Sequence, residues 1–298
     1  MLVSLERIAT KDGITLDGAV ADAKGKKRVG VLFIHGLTST FSRTRALWQG
    51  LAEMGKNRGI GVAAFNTRGH DIVTSSRRRG TTRNSRRYVT LGAAFEKFTD
   101  CIYDIRAGVR FLKKRGYRTI ILAGHSTGSQ KSLYYLSQTR DRNVKGLVLA
   151  GPVSDISVRR RELGHGFTKN IAAAKRFMKH SGGRTLLPPS ITKEFLSAQR
   201  YVSLFSPGSP EDVFPYYNPK AEWTALRRIK TPTLVIFGGK DEYLDRSAKE
   251  TVKTFLAHAP ARSRLVTAVI KSAGHNFRGK EKDFANAIIK WIKLELRV

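Results

Sequence analysis

One serine, one histidine and one aspartate carry the chemistry this sequence suggests, although they lie far apart along it. Ser126 stands in Gly124-His125-Ser126-Thr127-Gly128. An apolar run precedes that pentapeptide and a helical segment follows it, which is the setting of a nucleophile elbow. The turn there is so tight that bulky residues two positions either side of the serine would collide with neighbouring backbone. The helix N-terminus beneath the serine stabilises negative charge. A serine hydroxyl is a poor nucleophile at neutral pH and needs a base within hydrogen-bond reach. Seven histidines are available. Only His275, in Ser272-Ala273-Gly274-His275-Asn276-Phe277, follows the last strand-like run and precedes the last helical segment; His35, His70, His125, His165, His180 and His258 do not.

The base in turn needs a carboxylate to fix its tautomer and stabilise the imidazolium. Asp241, in Gly238-Gly239-Lys240-Asp241, follows the run Thr231–Phe237 and is the first candidate. Asp155, after Lys145–Ala150, is the second. Glu242 and Asp245 read as surface or helix-start residues. Such a set performs acyl transfer in two halves and requires no metal or organic cofactor. The tetrahedral oxyanion needs backbone N–H donors. Thr127 supplies one, and Leu37, in His35-Gly36-Leu37-Thr38, supplies the other. His35 is expected to brace that loop. Asn66-Thr67-Arg68-Gly69-His70-Asp71 reads as a hydrogen-bonded turn or as a substrate-facing segment.

These residues are of use only if the elements between them bring them together. Short apolar runs alternate with periodic segments. Strands are expected at Gly30–Ile34, Gly61–Phe65, Thr119–Ala123, Lys145–Ala150, Thr231–Phe237 and Arg264–Ile270. Helices are expected at Thr44–Met54, Phe95–Leu112, Gly128–Leu136, Ala248–Leu256 and Asp283–Leu296. Leu2–Ile8 and Ile14–Ala19 read as an antiparallel pair, and Arg77–Arg87 as an exposed loop. This alternation predicts an α/β fold, a mostly parallel central sheet with helices on both faces. Asp155–Lys220 breaks the alternation, with helical fragments at Lys169–His180 and Lys193–Phe205. It is expected to form a small inserted helical cap (155–220) on a core made of 1–154 and 221–298. Phe167, Phe205, Tyr216 and Tyr217 are its candidate substrate-binding wall residues.

The 298 residues suit one large domain or a domain with an insertion. The single cysteine, Cys101, cannot form an internal disulfide, and no Cys/His group has zinc-ligand spacing. It is expected in the core. The N-terminus lacks a signal-peptide apolar region, and no run is long enough for a membrane span, so the default expectation is a cytoplasmic protein. Lysines and arginines number 55 against 23 acidic residues, a formal net charge of +32. The tightest cluster is Arg77-Arg78-Arg79, followed by Arg83, Arg86 and Arg87. Such a charge attracts polyanions and anionic ligands. It is spread along the whole chain without a nucleic-acid-binding signature, so a solvated surface is expected, with no specific nucleic-acid partner. If the charge acts on the substrate, it favours one bearing a carboxylate. A homo-oligomer is left open.

In motif and order (Ser126, Asp241, His275) the sequence resembles the α/β-hydrolase superfamily over essentially its whole length. A narrower likeness lies in Phe65–Asp71, Gly92-Ala93-Ala94-Phe95-Glu96, Gly124–Ser129 and Pro152-Val153-Ser154-Asp155. These resemble the branch that contains fungal siderophore esterases and uncharacterised bacterial hydrolases. Ser129 departs from the second glycine of many esterases, and the oxyanion loop lacks a His-Gly-Gly-Gly run. The resemblance implies a carboxylic-ester hydrolase acting on a small-molecule ester, with Ser126, Asp241 and His275 as its triad. A thioesterase or amidase with the same triad, a non-catalytic ligand receptor of the same fold and a polyanion-binding protein are the alternatives.

Overall fold

The computed structural model describes residues 2–79, 86–260 and 264–296. The chain opens with strands β1 (Ser4–Ala9), β2 (Thr15–Ala21) and β3 (Val29–Ile34), then α1 (Arg45–Gly55) and β4 (Ile60–Phe65). Strands β5 (Thr74–Arg79) and β6 (Arg86–Leu91) precede α2 (Cys101–Lys114), β7 (Thr119–His125), α3 (Thr127–Thr139) and β8 (Val144–Ala150). Helices α4 (Asp155–Leu163), α5 (Gly166–Ser181), α6 (Ala198–Phe205) and α7 (Thr224–Arg228) follow. The chain closes with β9 (Thr233–Gly238), α8 (Ala248–His258), β10 (Leu265–Ile270) and α9 (Glu281–Leu296).

Eight strands form one sheet in the order β1-β2-β4-β3-β7-β8-β9-β10. Strand β2 runs antiparallel to β1 and β4, and the pairs from β4 through β10 are parallel. Residues of β3, β4 and β9 are buried throughout, because helices cover both faces and neither alternate side chain meets water. Alternation survives as a division between two cores. Leu32 and Ile34 join the layer under α2 and α3, whereas Val31 and Phe33 join that under α1 and α9. Burying each such side chain contributes about 1.5–3 kcal/mol. Cys101 is fully buried in this packing. Among the described residues no helix is long and apolar enough to cross a membrane.

Three local expectations are corrected. The Arg77–Arg87 stretch is not a plain loop: β5 and β6 pair antiparallel, with Arg79 opposite Arg86, and residues 80–85 lie outside those described. The Arg79 N–H donates to the Gly13 carbonyl (3.0 Å), so backbone bonding to the β1–β2 turn, which leaves no apolar periodicity, makes this hairpin. The helix expected from Phe95 starts at Cys101, because Glu96 is held by ion pairs outside any helix. Helix α4 has no apolar period to reveal it; the Ser154 hydroxyl, accepting from Ser157 N–H, caps its start.

The inserted stretch has a core of its own running from Ile156 through Phe167, Ile171 and Tyr201 to Phe205. Beyond it, Val213, Phe214 and Tyr216 join the main core. Charge fastens α6 beneath. Glu96, fully buried, meets Lys131 Nζ of α3 at 2.6 Å and Arg200 Nη2 of α6 at 3.3 Å, and Arg200 also pairs with Glu211. Removing one member of such a set strands buried charge. Glu96→Ala is therefore expected to lower the unfolding free energy by about 3–5 kcal/mol. Removing Glu53 from its exposed pair with Lys56 is expected to leave the stability nearly unchanged, because solvent screens that pair. Denaturant titration of both variants checks this; equal losses would mean the buried pairs hold nothing.

Candidate active site

Strand β7 leads into Ser126 and α3 leads away, so the serine sits on the turn between them. Its backbone stands at φ 56°, ψ −126°, a region that costs a non-glycine residue energy and persists only where surroundings impose it. The imposing contacts are close. A Cβ on Gly124 would press on the Gly128 carbonyl, and one on Gly128 would press on that of Ile34 in β3. The Ser126 N–H donates to Ala150 O of β8 (2.9 Å). Ser129 turns its hydroxyl to the carbonyls of Gly124 (2.8 Å) and Ala150 (3.1 Å), a brace that a glycine there would lack.

His275 arrives from the loop after β10 and Asp241 from the loop after β9. Both are buried, with His275 Nδ1 2.8 Å from Asp241 Oδ2. Nδ1 therefore donates and Nε2 is the free, basic nitrogen, a tautomer assigned from its bonding partner. Gly151 makes room for the ring: a Cβ there would stand 3.0 Å from His275 Cε1. Asp155, the second candidate acid, makes no bond to His275 and takes one from Gln130 Nε2 (2.7 Å).

The loop after β3 runs over the serine. A Cβ on Gly36 would be 2.9 Å from Ser126 Cβ, so Leu37 follows beside the serine. Thr127 opens α3, where the first N–H groups have no intrahelical acceptor. Ser126, His275 and Leu37 line one cavity of about 500 Å³, with Gly36, His125, Val153, Asp155, Val158, Arg159, Phe205 and Tyr243 among its other walls. Among the described residues no group of three or more His, Cys, Asp or Glu side chains is placed to hold a metal ion.

The profile of a protein family of unknown function, DUF1749, matches residues 94–297, a span that holds Ser126, Asp241 and His275. The chain belongs to the DUF1749 family. No curated protein matches it. Several solved structures share its fold. An esterase of Pyrococcus furiosus is 20% identical with a TM-score of 0.61, covering 98% of this chain and 91% of its own. The siderophore hydrolase EstB of Aspergillus fumigatus is 17% identical with a TM-score of 0.66, covering 99% of each chain. A lidless α/β serine hydrolase of Xanthomonas campestris is 17% identical with a TM-score of 0.55, over 98% of this chain and 94% of its own. The DUF1749 chain thus has the α/β-hydrolase fold.

Of the four wall residues predicted for this DUF1749 protein, Phe205 lines the cavity of Ser126. Phe167 is buried in the core of the insertion under Arg160. Tyr216 donates its hydroxyl to Pro152 O (2.9 Å) and packs edge-on against Trp223 in the main core. Tyr217 bonds Asp212 and faces a separate cavity. Aromatic content could not separate these settings, because packing and pocket walls use the same side chains.

Other parts of the DUF1749 site gave no sequence signal. Glu242 is exposed, as expected, and its Oε2 also accepts the His275 N–H (2.9 Å). Tyr243 sets its ring edge-on to the imidazole at 4.7 Å. His125 Nε2 donates to His275 O (2.9 Å), and burial lowers its pKa to about 4, keeping it neutral. His35 braces the loop after β3, as expected. Its Nδ1 donates to Gly36 O and its Nε2 accepts Thr67 N–H, both at 2.9 Å; burial, then the Lys131 charge, lowers its pKa to about 3. The Asn66–Asp71 segment proves to be a structural turn. Asn66 Oδ1 accepts Phe41 N–H, and buried Arg68 pairs with Asp12, Asp100 and Asp104.

Proposed function

We propose that this protein is a serine hydrolase that cleaves carboxylic esters through an acyl-enzyme. One observation carries the reading: a serine in a strained elbow shares a cavity with a histidine whose far nitrogen is engaged by a buried carboxylate. The esterases and hydrolases among the structures of like fold add support.

In this mechanism Ser126 Oγ attacks the ester carbonyl while its proton passes to His275 Nε2. Asp241 stabilises the imidazolium without taking the proton. The Leu37 and Thr127 N–H groups hold the oxyanion, each contributing about 3–4 kcal/mol to the transition state. The imidazolium then protonates the leaving alcohol. Water, deprotonated by His275, attacks the acyl-enzyme, and the acid leaves as Ser126 recovers its proton.

The test is a fluorophosphonate, which mimics the tetrahedral intermediate, together with a series of p-nitrophenyl esters from acetate to decanoate. One equivalent of adduct on Ser126 by peptide mass spectrometry is expected, with turnover across part of the series. The chain-length profile then sizes the acyl side of the cavity. Thioester and anilide versions of the best acyl group separate an esterase from a thioesterase or amidase. A folded protein that neither labels nor turns over an ester would overturn the reading and leave a ligand receptor.

A further inference from the structure

Helix α4 turns one face to the cavity of Ser126. Its wall residues Asp155, Val158, Arg159 and Glu162 are spaced i, i+3, i+4, i+7, which is one side of a helix. Two positive and three negative side chains line the cavity apart from the imidazole: Arg43 and Arg159 against Asp155, Glu162 and Glu194.

Both guanidinium groups are already matched. Arg159 meets Glu162 at 3.1 Å and also pairs with Glu194, and its guanidinium carbon stands 4.2 Å from the Phe205 ring centroid. Arg43 meets Asp71 at 3.2 Å and donates to Thr38 O at 2.7 Å. The carboxylates are in surplus. Asp155 has no cation of its own: Gln130 Nε2 donates to Oδ2, and among the described residues none donates to Oδ1. Burial, with the charge of Glu211 second, pushes its carboxyl up to about 6; Gln130, Arg200 and His275 pull the other way. A carboxylate so placed gains most from a positive charge brought to it in low dielectric.

We propose that Asp155 is a specificity residue selecting esters that carry an ammonium group, the α4 face forming the cation subsite beside Ser126. The inference rests on the serine-esterase reading of the cavity. It is opposite in sign to what the chain's charge of +32 suggests for a substrate. The difference is one of range. Diffuse surface charge is screened beyond about 8 Å at physiological salt, whereas partly buried carboxylates a few ångströms from the substrate are not.

The experiment compares three p-nitrophenyl esters at physiological ionic strength: that of trimethylammonio-capped butanoic acid, its tert-butyl isostere, and the half-ester of the matching dicarboxylic acid. Wild type is expected to prefer the cation over the isostere by about tenfold in kcat/KM, and the isostere over the anion. In Asp155→Asn the cation-to-isostere ratio falls towards one, through KM. A ratio unchanged in the variant, or a wild-type preference for the anion, overturns the proposal; the wild-type ranking requires no variant to fold. Calorimetric binding of the three free acids to Ser126→Ala separates the two readings. Asp155-dependent binding of the ammonium acid without hydrolysis in wild type would sink the esterase reading and keep the subsite. Hydrolysis with no charge preference would do the reverse.

Discussion

Ser126→Ala is expected to lower kcat on a p-nitrophenyl ester by about six orders of magnitude, with the fold intact. The alanine keeps the Cβ that the elbow already accommodates beside Gly36, and it removes only the Oγ. Without Oγ no acyl-enzyme forms, so the imidazole loses the proton it is placed to accept. What remains is substrate binding and the oxyanion donors, worth about 10³–10⁴ over water. His275→Ala should cost nearly as much, and the double variant little more than either alone, because the residues act as one unit. The measurement is kcat for the three variants, with circular dichroism and thermal unfolding beside it. A folded Ser126→Ala that keeps a tenth of the activity would remove the serine from the mechanism.

Asp241→Asn is expected to lower kcat by about 10⁴ and leave KM within a few-fold. Asp241 Oδ2 accepts from His275 Nδ1 and Oδ1 accepts Tyr243 N–H at 3.0 Å. An amide nitrogen in the place of Oδ2 would present a donor to Nδ1, moving the ring proton to Nε2 and blocking the base. An amide turned the other way keeps the tautomer but loses the charge that stabilises the imidazolium. Steady-state kinetics on a neutral ester decides the matter. Asp155 was the rival for this role by position in the sequence. Were it the true partner, Asp241→Asn would cost little, and Asp155→Asn would carry the loss in kcat rather than in substrate preference.

Most of the sheet was legible because its strands are covered on both faces. Each of β3, β4, β7, β8 and β9 carries a short apolar run through its centre, and such runs need no knowledge of distant neighbours. The β5–β6 hairpin was hidden for the opposite reason: the side chains of β5 are mostly exposed, and its backbone bonds to a turn some sixty residues earlier leave no mark on residue type. Helix α4 was hidden too, since Asp155, Arg159 and Glu162 on its cavity face read as a charged, irregular stretch.

The sequence by itself determined which serine lies on a strand-turn-helix, and that one histidine and one aspartate follow the last strands in a workable order. These are local facts: a glycine either side of a serine, a residue type at the end of an apolar run. Tertiary structure alone decided which of two aspartates touches the histidine and which aromatic faces the cavity. It also placed Glu242, Tyr243 and His125 around the imidazole and gathered Asp155, Glu162 and Glu194 at the cavity of Ser126 in a strongly basic chain. Those outcomes depend on residues up to 150 positions apart meeting within about 3 Å. Contacts of that kind are set by how loops leave the edge of the sheet, and no pattern along the chain records the angle at which they do so.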